Sequence, residues 1–294
     1  MVEEGSKKIL DGIHKSLASD TGFLVGRFGT IEFETCWEIT RDKRPLEQDM
    51  RIVLEMNAGV FPSSIDSIQN WVSMTKEAFH SADILATGWY PPIVKKELKL
   101  LEEWGSTAEH ILLRSLEPYY SKDEYRWSNG LSGQKVCVVS SFADTIQKQI
   151  AKGEKSVWPT SNETIWPSST KWSYVKTGYS PAMSRGKASW HESSSSWQEA
   201  VTYVVERVME TDARIVLIGC GGLGMIIGHE LKRRGKICIV MGGAIQVFFG
   251  IKGGRWKSHE FISKLWNEEW VYPSDKETPG ACSAVENSCY WKPL

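Results

Sequence analysis

The sequence predicts an α/β fold with one doubly wound, mainly parallel sheet in a single compact domain. Three observations support this prediction. Short apolar runs alternate with helical stretches along the whole chain, the last third contains a complete strand–helix–strand unit, and no internal repeat or long linker divides the 294 residues. In such sheets ligands bind at the carboxyl ends of the strands, so the loops that follow the strands are the candidate site.

The apolar and amphipathic patterns assign each element in order. Before the middle of the chain they predict a helix over 3–18, a strand over Phe23–Phe28, helices over 46–56 and 64–80, a strand over Ile84–Thr87, a helix over Ile93–Trp104 and a strand over Ile111–Arg114. After the polar loop EPYYSKDEYRWSNGLSGQK they predict a strand over Val136–Val139, a helix over Ala143–Ala151, a helix over Ser195–Met209, a strand over Ile215–Ile218, a helix ending at Arg234 and a strand over Ile237–Met241.

The turn after the strand Ile215–Ile218 carries Gly219, Gly221 and Gly224 in G-x-G-x-x-G spacing. Such glycines let backbone N–H groups approach a phosphate at a helix start, which favours nucleotide binding over a plain packing turn. Nicotinamide enzymes and methyltransferases need a carboxylate at the end of the second strand, and here Met241 and Gly242 stand there instead.

Beyond this unit lies a basic cluster of Lys252, Arg255 and Lys257. Arginine and lysine suit a diphosphate, and the alternative is a solvated basic loop.

Two further strand-end loops carry polar side chains. The first strand leads into Arg27 and two carboxylates, Glu32 and Glu34. The carboxylates could bind a divalent cation or supply a general base, or they could merely favour a helix start. The loop with Ser141 and Thr145 offers hydroxyls and helix-start N–H groups, and its alternative reading is a serine cap.

Composition narrows the partners. A formal net charge of −1 gives no overall attraction to nucleic acid or to an anionic membrane. The polar start and the lack of any apolar run near the ~18 residues of a membrane span predict a soluble, cytosolic protein without a transmembrane segment. We therefore expect the six scattered cysteines to be free thiols and the sequon Asn162–Thr164 to be unused.

Fourteen tryptophans are many for this length. Trp158, Trp166 and Trp172 fall in the Ser/Thr/Pro-rich stretch WPTSNETIWPSSTKW, which is expected to be a connecting loop. Their faces could stack on sugar rings or bases, or they could pin the loop to the body of the protein. The sequence leaves both readings open.

Five motifs are spread over nearly the whole chain. They are Gly26-Arg27-Phe28-Gly29-x-x-Glu32, Asn57-Ala58-Gly59-Val60-Phe61-Pro62, Ser141-Phe142-Ala143-Asp144-Thr145-Ile146-x-x-Gln149, the run from Gly242 to Trp256, which is the most specific, and Val285-Glu286-Asn287-x-x-Tyr290-Trp291. Together they resemble the GT-D-type glycosyltransferases of surface-polysaccharide and glycoprotein glycan synthesis. A looser similarity is to the xylosyltransferases that build capsid glycans of large algal viruses.

The resemblance implies a Rossmann-like sheet, a UDP-sugar donor, and transfer of a glucose- or xylose-type sugar to a saccharide or glycoprotein glycan acceptor. A homodimer is left open. The strand-end loops and the resemblance together assign Glu32, Glu34 and Arg27 to catalysis. They assign to donor binding Gly29, Thr30, Asn57, Ser141, Thr145, Gln149, Gly219, Gly221, Gly222, Gly243, Gln246, Lys252 and Arg255.

Family members carry an Asp-x-Glu metal motif, and Thr30 stands where the aspartate is expected. Two alternatives follow: Glu32, with or without Glu34, holds Mn²⁺ or Mg²⁺, or the cation is dispensable and Arg255 with Lys252 neutralises the diphosphate. If Glu32 is not the base, His191 and Asp144 are the next candidates. Two other classes also stay open, a different nucleotide-using enzyme (dehydrogenase or methyltransferase) and a catalytically inactive glycan-binding module.

Overall fold

The structure, a computed structural model, describes residues 1–42, 46–88, 91–159, 164–192, 194–285 and 287–293. Asn162 and Glu163 of the sequon and Glu286 of the C-terminal motif lie outside the described residues. All six cysteines are free. In the part of the chain that is described, no helix is long and apolar enough to cross a membrane.

The predicted doubly wound α/β fold is confirmed by one sheet of seven strands, in the order β3-β2-β1-β7-β6-β4-β5, with every pair parallel. The strands are β1 (Phe23–Gly26), β2 (Ile84–Thr87), β3 (Glu109–Leu112), β4 (Lys135–Ser140), β5 (Lys171–Lys176), β6 (Ile215–Gly219) and β7 (Ile237–Val240). The first three strands build outward from β1 to one edge, and the remaining four fill the other half. Their carboxyl ends therefore meet along one side of the sheet.

Helices cover both faces of the sheet. They are α1 (Val2–Ser19), α2 (Thr30–Trp37), α3 (Gln48–Ala58), α4 (Ile65–His80), α5 (Pro91–Glu103), α6 (Ala143–Lys152), α7 (Glu154–Val157), α8 (Pro181–Ser184), α9 (Trp197–Met209), α10 (Gly224–Arg233) and α11 (Ala244–Phe248). One apolar cluster packs α2–α5, α9 and α10 against the sheet, and a second packs α1, α6, α11 and the C-terminal segment against the opposite face. Successive strand residues such as Leu24 and Val25 enter different clusters, which explains why the strands are apolar throughout.

Strand β5 was not predicted, because it lies in the stretch that composition assigned to a loop. It pairs with β4 from Lys171 to Lys176, at the edge of the sheet. Its residues are mostly half-exposed and its two ends are lysines, a composition suited to an edge strand but lacking an apolar run.

The tryptophans of this stretch pack into the body of the protein. Trp158 and Trp166 are 3% and 2% exposed, and Trp166 contacts Phe248 and Phe249. Trp172, on β5, packs edge-on against Phe249. These three side chains therefore hold the segment against the core, which agrees with the interpretation that they attach this stretch to the body of the protein.

The carboxyl ends of two strands differ from the prediction by two residues. Strand β1 ends at Gly26 rather than Phe28, because Arg27, Phe28 and Gly29 form the turn into α2. Strand β3 ends at Leu112 rather than Arg114, because its register with β2 runs from Glu109 to Leu112 and a 3-10 helix follows at Leu113–Leu116.

Candidate functional site

A cleft of about 710 Å³ lies at the carboxyl ends of the strands. Its walls come from the loops that follow β1, β3, β4, β5, β6 and β7, from the end of α3, and from the C-terminal segment after α11. The volume is within the usual range of small-molecule sites, roughly 300 to 1,000 Å³. The strand-end rule thus places the cleft where the sequence predicted a ligand site.

The turn from β1 into α2 contributes Arg27, Gly29, Thr30 and Glu32 to the cleft wall. The Glu32 carboxylate folds back on the start of its own helix: a Cβ on Gly29 would lie 2.0 Å from Glu32 Oε2. Burial raises the pKa of Glu32, and a hydrogen bond from its own backbone N–H and the Arg27 charge oppose that rise. Glu32 is therefore both a helix cap and a carboxyl group at the edge of the cleft.

Glu34 does not share the cleft wall with Glu32. Two residues along an α-helix are separated by about 200° around its axis, and the Glu34 side chain is exposed on the far side. No group of three or more His, Cys, Asp or Glu side chains close enough to hold a metal ion occurs among the described residues. Of the two carboxylates considered for a cation, Glu32 alone faces the cleft.

Arg27 sits at the centre of the charged part of the cleft. Its Nη1 donates to the Phe28 carbonyl at 2.9 Å, and its guanidinium packs over Gly242, where a Cβ would approach Nη2 to 2.9 Å. Besides Glu32 it acts on Glu97 and Glu117, whose pKa values are raised by burial and lowered in part by the Arg27 charge. The Arg27 charge is therefore shared among carboxyl groups of the protein itself.

The glycine loop between β6 and α10 combines packing roles with an open side. Gly221 has φ +47° and approaches Ala58 so closely that a Cβ would lie 2.8 Å from the Ala58 carbonyl oxygen. The buried Gly222 accepts a hydrogen bond from Trp71 Nε1 at 2.9 Å, and Gly224 packs against Val240. These contacts explain the glycines without a ligand.

Gly219 and Gly221 nevertheless line the cleft, whereas Gly222 does not. Asn57, next to the Ala58 that the loop contacts, lies in the same wall and is half-buried. The end of α3 and the glycine loop thus form one continuous surface of the cleft.

The turn from β7 into α11 brings Gly243 and Gln246 to the cleft, backed by Tyr290 of the C-terminal motif. A Cβ on Gly243 would lie 2.8 Å from the Tyr290 ring. Gln246 is fully buried; its Nε2 donates to the Tyr290 carbonyl at 2.8 Å, and its Oε1 has no partner among the described residues. Through this hydrogen bond Gln246 joins α11 to the C-terminal segment.

Arg255 is the exposed cation of this wall. Its guanidinium carbon lies 4.4 Å from the centroid of the Tyr290 ring and 6.0 Å from that of Trp256, and both rings line the cleft. Lys252 lies elsewhere: its ammonium stands 5.7 Å above the Trp266 ring, and neither side chain belongs to the cleft wall. Of the two cations expected to bind phosphate, Arg255 lies at the cleft and Lys252 does not.

The β4 turn is divided between the cleft and the C-terminal segment. Ser141 lines the cleft and accepts a hydrogen bond from the Tyr179 hydroxyl at 2.8 Å. Thr145 does not line the cleft, because its backbone N–H and hydroxyl both donate to the buried Glu277 carboxylate. Gln149 is also outside, fully buried, with Nε2 donating to the Gly250 and Glu269 carbonyls at 3.0 Å each.

Neither fallback base is at the cleft. The exposed His191 stacks on the Tyr203 ring, with centroids 5.3 Å apart, and Asp144 forms an ion pair with Lys176. Neither His191 nor Asp144 belongs to the cleft wall.

Sequence reasoning missed several residues of the wall, namely Arg114, Glu117, Tyr179, Trp190 and His259. Arg114 stands over the Tyr120 ring at 5.0 Å, and His259 Nδ1 accepts two backbone N–H groups at 3.2 Å. Arg114 closes the predicted third strand, so the strand-end rule could have nominated it. The others lie in irregular segments with no motif to mark them.

No family model, curated protein or solved structure matches this chain. Its function has to be argued from the residues that the fold brings together.

Proposed function

We propose that this chain is a glycosyltransferase that moves a glucose- or xylose-type sugar from a UDP-sugar to a saccharide acceptor. The observation that carries the proposal is the convergence of motif residues distant in sequence on one cleft. Arg27, Glu32, Asn57, Gly243 and Arg255 come from three of the five motifs and line the same cavity. A cleft at the carboxyl ends of parallel strands is where such folds bind their ligands.

The donor diphosphate is assigned to the wall formed by Gly219, Gly221 and Arg255. Helix α10 begins just beyond this loop, so its positive end favours an anion there. Arg255 is exposed and stacked on Tyr290, which holds its guanidinium plane at the cleft while its N–H groups can bind phosphate oxygens.

In the transfer step an acceptor hydroxyl oxygen bonds to the anomeric carbon, the bond from that carbon to the phosphate oxygen breaks, and UDP leaves with the electron pair. Glu32 is proposed to take the hydroxyl proton if the configuration inverts, or to hold substrate if it is retained. Among the described residues of the motifs, its carboxyl group is the one carboxylate on the cleft wall. Mg²⁺ or Mn²⁺ bound there would depend on phosphate and water oxygens for its other ligands, because Glu34 faces away.

Titration of the purified protein with UDP tests the donor site. A charge-assisted contact contributes about 1.5 to 3 kcal/mol, so Arg255→Ala should weaken UDP binding roughly 10- to 100-fold. Lys252→Ala is the matched control: it also removes a cation of the same segment, but one over Trp266 and outside the cleft. Equal UDP affinity in folded Arg255→Ala and wild-type protein, or an equal loss in both variants, would reject this assignment.

A glycan-binding module without catalysis is the second candidate, favoured by one specific observation. The Glu32 carboxylate folds against Gly29 and so has a structural role that needs no reaction. A binding module would show saccharide affinity without UDP affinity and without release of UDP from UDP-glucose or UDP-xylose.

A further inference from the structure

The two halves of the cleft differ in charge. Its charged residues are Arg27, Glu32, Arg114, Glu117 and Arg255, which come from the ends of β1 and β3 and from the C-terminal segment. The part formed at the ends of β4 and β5 has Ser141, Phe142, Thr177, Tyr179, Ser180 and Trp190 in its wall, with no Asp, Glu, Lys or Arg among its described residues. Hydroxyls and aromatic rings without charge suit an uncharged polar ligand.

Trp190 in this neutral half has a buried donor without an acceptor. Its side chain is 9% exposed, and Nε1 has no hydrogen-bond partner among the described residues. Six other buried indoles do donate to backbone carbonyls, those of Trp71, Trp127, Trp158, Trp197, Trp270 and Trp291. Trp104 and Trp266 also lack an acceptor, but neither lines the cleft, so Trp190 combines the two properties.

The backbone around Trp190 is joined to the segment after β5. Tyr179 N–H donates to the Ala188 carbonyl at 3.0 Å, and a bridge joins Tyr179 to Ser189, directly before Trp190. Gly178 allows this close approach, because a Cβ there would lie 2.1 Å from the Trp190 nitrogen. These contacts bring Trp190 to the same part of the cleft wall as Tyr179.

A pair of hydroxyls lies in the same half. The Tyr179 hydroxyl lies 2.8 Å from Ser141 Oγ and 3.3 Å from the Glu277 carbonyl oxygen, and its one hydrogen can be donated to either. Both Ser141 and Tyr179 line the cleft, so their hydroxyls can exchange hydrogen bonds with an uncharged polar ligand.

We propose that the neutral half of the cleft binds an uncharged saccharide ring, the acceptor, with Trp190 Nε1 donating to one of its oxygens. The proposal rests on the proposed function, which assigns the donor diphosphate to the wall with Arg255. It identifies the acceptor as a neutral sugar, since no cation of the described wall lies in this half to pair with a carboxylated or phosphorylated one.

The test compares Trp190→Phe with Trp197→Phe. Both changes remove one buried indole N–H and keep an aromatic ring, but Trp197 donates to the Ser67 carbonyl at 3.2 Å and lies outside the cleft. Binding of methyl glycosides of glucose, galactose, xylose, mannose, rhamnose and fucose is followed by saturation-transfer NMR in the presence of UDP, and UDP binding is measured by calorimetry.

We expect at least one methyl glycoside to bind wild-type protein, and Trp190→Phe to weaken that binding about 5- to 20-fold with UDP affinity unchanged. Trp197→Phe should leave glycoside binding unchanged and lower the Tm, because it removes buried ring volume and the hydrogen bond to the Ser67 carbonyl. Trp190→Phe should lower the Tm less, because it removes similar volume but a donor without a partner among the described residues.

Three results would overturn the proposal: no glycoside binding to wild-type protein, equal glycoside affinity in Trp190→Phe, or displacement of the glycoside by UDP, which would put the nucleoside in this half. Failure of the proposed function gives a different result. Glycoside binding that depends on Trp190, without UDP affinity, would keep the saccharide site and reject the transferase.

Discussion

Glu277 offers the sharpest test of how the cleft is held together. The residue is fully buried, and its carboxylate accepts hydrogen bonds from the backbone N–H groups of Asp144 (2.9 Å), Thr145 (3.1 Å) and Ser274 (3.3 Å) and from the hydroxyls of Thr145 and Ser274. Two of these N–H groups open helix α6, so the carboxylate also faces the positive end of that helix.

Glu277→Ala would take this acceptor from the backbone N–H groups of Asp144 and Thr145, while the Ser274 N–H keeps Thr145 Oγ1 at 3.2 Å. Each buried unpaired donor costs about 1 to 3 kcal/mol, and breaking a buried charged network typically costs about 3 to 5 kcal/mol in total. We expect the free energy of unfolding to fall by about 4 kcal/mol. For a protein of this size that corresponds to a Tm about 8 to 12 °C lower.

The measurement is thermal and urea unfolding of Glu277→Ala and Glu277→Gln, with Asp275→Asn as control. Asp275 is two residues away and exposed, so its variant should stay within about 0.5 kcal/mol of wild type. The glutamine variant keeps the size but presents an NH₂ group to N–H donors, so it should recover only part of the stability. A Glu277→Ala protein as stable as Asp275→Asn would refute the network's role.

Three further predictions concern the site and pH. If Glu32 is the base, Glu32→Gln should lower the transfer rate about 100-fold or more. It should also remove the acidic limb of the rate–pH profile, which the raised pKa of Glu32 places above the ordinary value of 4.5. Glu34→Gln, on the exposed face, should change neither the rate nor the profile. Full activity in Glu32→Gln would exclude it as the base. Gly242→Ala puts a Cβ 2.9 Å from Arg27 Nη2 at φ +58°, so it should lower the Tm by a few degrees and weaken UDP binding measured by calorimetry; wild-type values for both would contradict the described packing. Burial lowers the pKa of His229, so as pH falls the unfolded chain takes up this proton before the folded protein does, and stability should drop below about pH 6.5. His229→Gln should flatten the Tm–pH curve in this range. An unchanged slope would exclude His229 as the cause of the pH dependence.

The fold could be predicted where strands are buried on both faces. Strands β1, β4, β6 and β7 are continuous apolar runs, because helices cover the sheet on both sides, and such runs are visible in the sequence. Strand β5 has neighbours on one side only and alternates Lys171, Trp172 and Ser173 without an apolar run. Its pairing with β4 is a long-range fact that local composition does not reveal.

The site could be predicted only in part, for a similar reason. Arg27, Glu32, Gly219 and Gly221 follow strands directly, so the strand-end rule locates them. Glu117 and Trp190 reach the cleft through irregular segments whose course depends on packing with distant parts of the chain, such as the bridge between Tyr179 and Ser189. Local sequence gives no signal for such a position.

The fold also determines which helix starts are open to an anion. The motif around Ser141 and Thr145 suggested α6, but in the fold the start of that helix is occupied by the Glu277 carboxylate, an anion supplied by the protein itself. The start of α2 is likewise covered by Glu32. Because one helix start rarely binds two anions at once, of the starts of α2, α6 and α10 it is the glycine turn ahead of α10 that agrees with our proposal of a diphosphate site, with Arg255 in the same cleft. A UDP complex with its phosphates against α6 instead of the Gly219–Gly221 turn would show that this reasoning fails.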